Sequence, residues 1–391
     1  VIGTMADFCG PSTAEGNLPM LYIPPLMQMW DCLAKQDPTD RTLLPLMESL
    51  ASIAVTTGVN FQPFALEAFE NAMGMIESVQ LVLVSSGDRI ESEEEADPIV
   101  CALDLLDGLV EGLAESFGAL VASSQRFNPH FLSVVHTMCQ HEIAGVRMSA
   151  FALVGDLAIN TPALLEPGLP QIINEALQNM DPIQPQVCTN AVWATGEICV
   201  RCRGHPTVLQ PHVASLMQNL IALVSGNGGG GGTDIPGLSE NASACIGRIA
   251  QANPSFVAPD LSRFLLGWCD GLAKTSDPTE RRDGFQGLVQ AVYANPGAIQ
   301  EAAVNVSDAI ASILFAVVSW HIPADYMERS DVLLKGEYNF IPFPTTEAEL
   351  GSALQKLVHD IKTSVGEDTW QMVQKALPVN VRRLLRECYN L

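Results

Sequence analysis

The chain of 391 residues carries 44 acidic against 20 basic side chains, a formal charge of −24, while 48% of its residues are apolar and 16% are charged. That apolar content excludes a disordered chain, and so negative a surface repels nucleic-acid phosphates and anionic membranes while favouring basic protein ligands. The ten cysteines lack the short, dense spacing of a secreted disulfide framework, which points to a reducing compartment.

Val1 to Asp7 reads as the interior of a helix with no cap before it, so the chain is expected to be part of something longer. Apolar residues at helical spacing predict helices over Met20–Leu33, Leu43–Thr57, Pro63–Ser85 and Pro98–Phe117, separated by punctuation such as Asp37-Pro38-Thr39-Asp40. The acidic segment 86–97 is predicted to be a surface connection between helices. Within the helix beginning at Pro98, the residues Ile99, Leu103, Leu106, Val110 and Leu113 form one stripe, and Asp104, Asp107, Glu111 and Glu115 form another. No lysine or arginine interrupts the acidic stripe. Like charges at this spacing oppose helix formation, so the row is either a solvated face or a seat for a cationic ligand.

Further along, three segments repeat one pattern. They are Ser149-Ala150-Phe151-Ala152-Leu153-Val154-Gly155-Asp156-Leu157, Asn190-Ala191-Val192-Trp193-Ala194-Thr195-Gly196-Glu197-Ile198 and Asn241-Ala242-Ser243-Ala244-Cys245-Ile246-Gly247-Arg248-Ile249. Gly287 continues the series, and a spacing of roughly 40 to 50 residues is that of HEAT or armadillo hairpins. Such units bury their apolar faces only by stacking. The expected fold is therefore all-α, a right-handed superhelical solenoid over residues 1–391 with about eight to nine antiparallel hairpins. Equivalent slots face one side, so Asp156 and Glu197 should form one ladder and Ser149, Asn190 and Asn241 another, both on a concave wall. Trp193 stands where its counterparts are Ala152 and Ala244. With Thr189, Asn190 and Glu197 as helical neighbours, it should be partly exposed. An indole set among carboxylates and amides suits a basic and apolar peptide, although a tryptophan is more often a core residue.

Residues 226–236 form a Gly-rich connection, 323–350 an irregular excursion carrying Tyr326, Tyr338, Phe340 and Phe343, and 351–391 a set of capping helices ending in the basic Arg382-Arg383-Leu384-Leu385-Arg386. No signal peptide is evident, nor any apolar run of roughly 18 to 20 residues, and a monomer is expected. No serine–histidine–aspartate arrangement, phosphate-binding loop or dinucleotide fingerprint is present, so no enzyme, cofactor or metal is expected. Cys188, Cys199, Cys202 and His205 approach zinc-ligand spacing without a second ligand pair. Besides a peptide receptor, a HEAT scaffold of a different multiprotein complex would fit the same repeats.

The repeat segments, with Ile2-Gly3-Thr4-Met5-Ala6-Asp7, Pro24-Pro25-Leu26, Trp30, Ile99 through Leu113 and Gly366-Glu367-Asp368-Thr369-Trp370, resemble the C-terminal half of transportin-type karyopherin-β proteins, in a fungal-like variant. The resemblance implies a nuclear import receptor that binds proline-tyrosine localisation signals of basic, often RNA-binding, cargo and shuttles between cytoplasm and nucleus. It implies that Trp193 packs on the first part of the signal and that Asp104, Glu111 and Asp156 pair with its basic residues. In the same way Asn190 and Asn241 would contact the peptide backbone, and Thr4 and Asp7 the arginine near Pro-Tyr. Thr189 departs from the family's asparagine. FG-nucleoporins are implied partners, whereas Ran-GTP would need an N-terminal arch upstream of Val1.

Overall fold

The computed structural model describes residues 18–37, 40–86, 90, 92–201, 206–226, 237–302, 306–322 and 341–391, with only the backbone at 82–86 and 206. Among these residues the secondary structure is helical, with no strand. They fall into two compact units, Val1–Met180 with Gln186–Arg201, and Asp181–Pro185 with Cys202–Leu391.

In the first unit the helices are α1 (Leu18–Ala34), α2 (Leu44–Thr57), α3 (Gln62–Ser86), α4 (Glu93–Leu113), α5 (Ser116–Ser123), α6 (Phe131–Cys139), α7 (Ala144–Asn160), α8 (Leu169–Asn179) and α9 (Pro185–Arg201). α3 pairs with α4 and α6 with α7, while α4 lies between α2 and α7. This is the stacked-hairpin arrangement that the repeat period requires. Phe69, Phe117, Phe127 and Phe131 knit the hairpins together with ring centroids 5.7 to 6.4 Å apart, geometry favourable to edge-on aromatic pairing. α2 and α4 come very close. At Gly112 a Cβ would strike the Ala54 carbonyl, and at Gly108 it would lie 2.8 Å from the Ala51 oxygen.

Two local expectations change. The acidic run 93–97 is the first turn of α4, where Ser92 Oγ accepts the Glu95 amide at 3.2 Å and three glutamates sit at the positive end of the helix dipole. Its side chains are engaged: Asp97 takes Arg41 Nη2 at 2.8 Å, and Glu93 Oε2 takes the Gly145 amide at the start of α7 at 3.2 Å. At the other end Ala114 adopts φ 48°, so α4 stops at Leu113 and Glu115 falls at the entry of α5, off the acidic stripe. Also contrary to expectation, residues Arg41–Leu81 are long and apolar enough by composition to cross a bilayer. Gly58, at φ 56°, marks the break between α2 and α3, and Leu50, Ile53, Phe69 and Met73 are buried in the core of the unit.

The second unit contains α10 (Val213–Val224), α11 (Leu238–Ala252), α12 (Leu261–Lys274), α13 (Pro278–Ala294), α14 (Val306–Val318), α15 (Ala348–Val365), α16 (Glu367–Ala376) and α17 (Val379–Tyr389). α10 pairs with α11 and α12 with α13, α11 stacks on α13, and α12 on α14. The repeat glycines explain themselves here: Gly247 of α11 meets Gly284 and Gly287 of α13, backbone on backbone. Beside that contact the buried Arg248 Nε reaches Asp283 Oδ2 at 3.1 Å. Gly287→Val would have to force α13 away from α11. It should cost about 1–3 kcal/mol in a urea titration by the overpacking scale, and unchanged stability would refute the close contact.

The part of the 323–350 excursion that is described, 341–350, is ordered by Phe343, whose ring lies 4.8 Å from His321 and 5.7 Å from Trp320. Residues 323–340, and 227–236 of the Gly-rich connection, lie outside the described residues. The last helices are fastened by Tyr389, whose hydroxyl bonds His321 Nε2 at 2.9 Å and whose carbonyl takes His359 Nε2 at 2.8 Å.

Candidate peptide-binding surface

The first unit carries 24 acidic against six basic residues, a net −18 of the chain's −24. Part of that charge is gathered where α4, α7 and α9 meet. Asp107 and Glu111 stand one turn apart on α4, and Asp156 follows the repeat glycine of α7. One carboxylate oxygen from each lies within 4.8 Å of the other two.

Crowding like charges has a cost that shows in their protonation. Asp107 is held well above the usual carboxylate range by burial first, then by Asp156 and Glu111, and it shares a hydrogen bond with Asp156. Its Oδ1 is shut away from water without a hydrogen-bond partner. Asp156 is raised to about 6 by burial and by Glu111, offset in part by the Asp107 hydrogen bond and reinforced by Glu197. The arrangement is that of two carboxylates sharing one proton. Loss of hydration raises Glu111 as well. Asp104 stands at the solvent-accessible rim, yet neighbouring helices strip enough water from its carboxylate to raise it. The Ser149 hydroxyl opposes that rise and Glu48 adds to it. Loss of hydration is the first cause of the shift at Asp104, Asp107, Glu111 and Asp156 alike, so the stripe is not a freely solvated face.

The cluster is an oxygen-only donor set, suited to an ammonium, a guanidinium or a hard metal ion. Next to it, Trp193 of α9 lays its indole over Gly155, the residue before Asp156. A Cβ at 155 would collide with the six-membered ring. The indole is partly exposed, as expected. The other four tryptophans, Trp30, Trp268, Trp320 and Trp370, are buried.

Not every expected site residue presents itself. Glu111 and Asp156 belong to the carboxylate cluster, Asp104 acts electrostatically on its Asp107, and Trp193 packs on Gly155 next to Asp156. Glu197 is buried, 6% exposed, so it acts through the field it adds to Asp156 and offers no open carboxylate. The equivalent residue after the repeat glycine of α7, Asp156, is only half-buried, so the same slot sits deeper on α9 than on α7. Asn190 uses its Nδ2 to bond the Met148 carbonyl at 3.0 Å, tying α9 to α7. Asn241 is half-buried on α11 in the second unit. Thr4 and Asp7 lie outside the described residues, as do Cys202 and His205 of the zinc pattern, while Cys188 and Cys199 are buried in α9. Asp107, absent from the expected contacts, is the most perturbed member. Its place between Asp104 and Glu111 on an unbroken acidic stripe was the available signal.

No protein-family model matches the chain. It is 33% identical to Transportin-1 of rice over 302 residues, which cover 75% of this chain and 32% of that protein. It is 26% identical to mouse Transportin-1 over 393 residues, covering all of this chain and 38% of the relative. The Importin subunit beta-2 of fission yeast is 26% identical over 301 residues, 76% of this chain and 32% of its own length. Similarity is thus not confined to fungi, and the chain spans about a third of the length of the curated relatives it matches.

Proposed function

Since the chain belongs to the transportin-type karyopherin-β family, we propose that it is the cargo-binding part of a nuclear import receptor and performs no catalysis. Its ligand is an extended basic signal of the proline-tyrosine type, and the receptor moves between cytoplasm and nucleus. FG-nucleoporins would be further partners, and Ran-GTP would act on parts of the relatives that this chain does not span. What supports the reading is that carboxylate oxygens of Asp107, Glu111 and Asp156 lie within 4.8 Å of one another, that Asp104 is near enough to act on Asp107, and that the half-buried Trp193 indole lies against Gly155, the residue before Asp156. Lysines or arginines of the signal relieve the carboxylate repulsion, and an apolar neighbour covers Trp193.

Titration of a fluorescent peptide holding lysines around one leucine, followed by arginine and Pro-Tyr, tests this by anisotropy. Exposed charges are screened over about 8 Å at physiological ionic strength. Raising salt from roughly 50 to 500 mM should therefore weaken binding by about tenfold or more. An acidic peptide of the same length that binds equally well would sink the reading.

The protonation of the cluster adds a second expectation. A cation favours the doubly ionised pair, so binding at pH 7 should release protons. This is visible as a heat that changes with the ionisation enthalpy of the buffer. Affinity should fall as pH is lowered through about 6, where Asp156 takes up its proton. Buffer-independent heats and a flat profile between pH 5.5 and 7.5 would contradict it.

A further inference from the structure

We propose that Gly155 is a positioning residue for the apolar contact: by lacking a side chain it sets the depth and tilt of the Trp193 indole against α7 and so decides which peptides fit beside Asp156. This rests on the peptide-binding reading above for its consequence, but not for its geometry.

The argument comes from comparing two uses of the same repeat glycine. In the second unit Gly247 meets the backbone of Gly284 and Gly287, so its role there is helix-to-helix approach. In the first unit the equivalent Gly155 is met by a side chain, the Cε3, Cζ3 and Cη2 edge of Trp193. A glycine needed only for backbone packing would be contacted by backbone. Here the vacant Cβ volume is filled by the benzenoid edge of the one tryptophan that reaches solvent. Asn190 Nδ2 on the Met148 carbonyl fixes the register of α9 one turn before Trp193, so the ring cannot escape by sliding the helix. Any side chain at 155 must instead lift the indole outward. The shelf beside Asp156 then stands higher, and an apolar peptide residue loses contact while the carboxylates stay in place.

The test is Gly155→Ala in the whole chain, read in two ways. Acrylamide quenching of tryptophan emission reports Trp193 selectively because the other four indoles are buried. Quenching should rise by about twofold as the ring is lifted. Affinity for a peptide with lysines around a leucine should fall by about tenfold, and affinity for the same peptide with the leucine replaced by glycine should change by less than about twofold. In a Trp193→Phe background, where the colliding atoms are gone, Gly155→Ala should have little effect on either peptide, so the two changes couple. Unchanged quenching, equal weakening of both peptides, or additive effects in the double variant would each overturn the proposal. If Gly155→Ala alone fails to fold, the Trp193→Phe double variant must restore folding, and continued failure overturns it. If the unaltered chain binds neither peptide, the import-receptor reading fails, while quenching still decides the role of Gly155.

Discussion

Asp107→Asn together with Asp156→Asn is expected to weaken binding of a basic signal peptide by about a hundredfold while making the protein more stable at pH 7.5. Both effects follow from one geometry. The carboxylates of Asp107, Glu111 and Asp156 converge within 4.8 Å, and asparagine keeps the shape and the hydrogen bond of the shared-proton pair without its charge. Two charge-assisted contacts of about 1.4 kcal/mol each correspond to the hundredfold loss. For stability, the folded pKa of Asp156, about 6, lies above the unfolded value of 3.8, and burial together with the Asp156 and Glu111 charges raises Asp107 in the same direction. The folded state therefore binds more protons than the unfolded state between about pH 4 and 6, so stability falls as pH rises through that window and the deficit persists above it. With partial solvent screening of Asp156 the deficit is about 1–2 kcal/mol. The double variant should recover it, and its melting temperature should respond less to pH than that of the unaltered protein. A double variant that melts lower at pH 7.5, or binds as tightly, would show that the acids are neither repelling one another nor holding a ligand.

Asp283→Ala should lower the stability of the second unit by about 3–5 kcal/mol, the scale for removing one member of a buried ion pair. Side-chain exposure is 2% at Arg248 and 7% at Asp283, and the Nε–Oδ2 distance is 3.1 Å. Burial has already stripped both groups of water, so a guanidinium deprived of this carboxylate keeps its desolvation cost and loses a charge-assisted contact, and Arg282, whose Nη2 lies 3.4 Å from Asp283 Oδ1, loses one as well. Arg248→Met with Asp283→Leu, which removes both charges, should come within about 1 kcal/mol of the starting protein. Urea unfolding followed by circular dichroism separates these outcomes. A double change as damaging as the single one would mean that the pair itself, rather than an abandoned charge, holds α11 to α13.

The architecture was legible because stacking imposes a period. The spacing of Gly155, Gly196, Gly247 and Gly287 and the apolar stripes of α1 to α4 follow directly from helices that must bury one face. Where the reading slipped, a contact across helices overruled a local pattern. Glu93 to Asp97 look like a solvated charge run until Arg41 and the α7 amide arrive from elsewhere in the chain. Ala114 carries no mark of its positive φ. In the site, helical spacing gave the acidic stripe of α4 and repeat register gave the place of Asp156 and the partial exposure of Trp193. Glu197 occupies the same slot as Asp156, yet it is buried and Asp156 is half-exposed. Equivalence along the chain does not fix how deep each residue sits.

The backbone-to-backbone seats at Gly112 and Gly287 have one more implication, which concerns what variation the molecule can absorb. Nothing smaller than glycine exists, so these seats admit no alternative residue without moving a whole helix. The carboxylate surface, by contrast, is expected to fold better when its charges are exchanged. A library of single substitutions sorted first for soluble expression and then for peptide capture should therefore divide into two nearly exclusive sets, glycines lost in the first sort and acids lost only in the second.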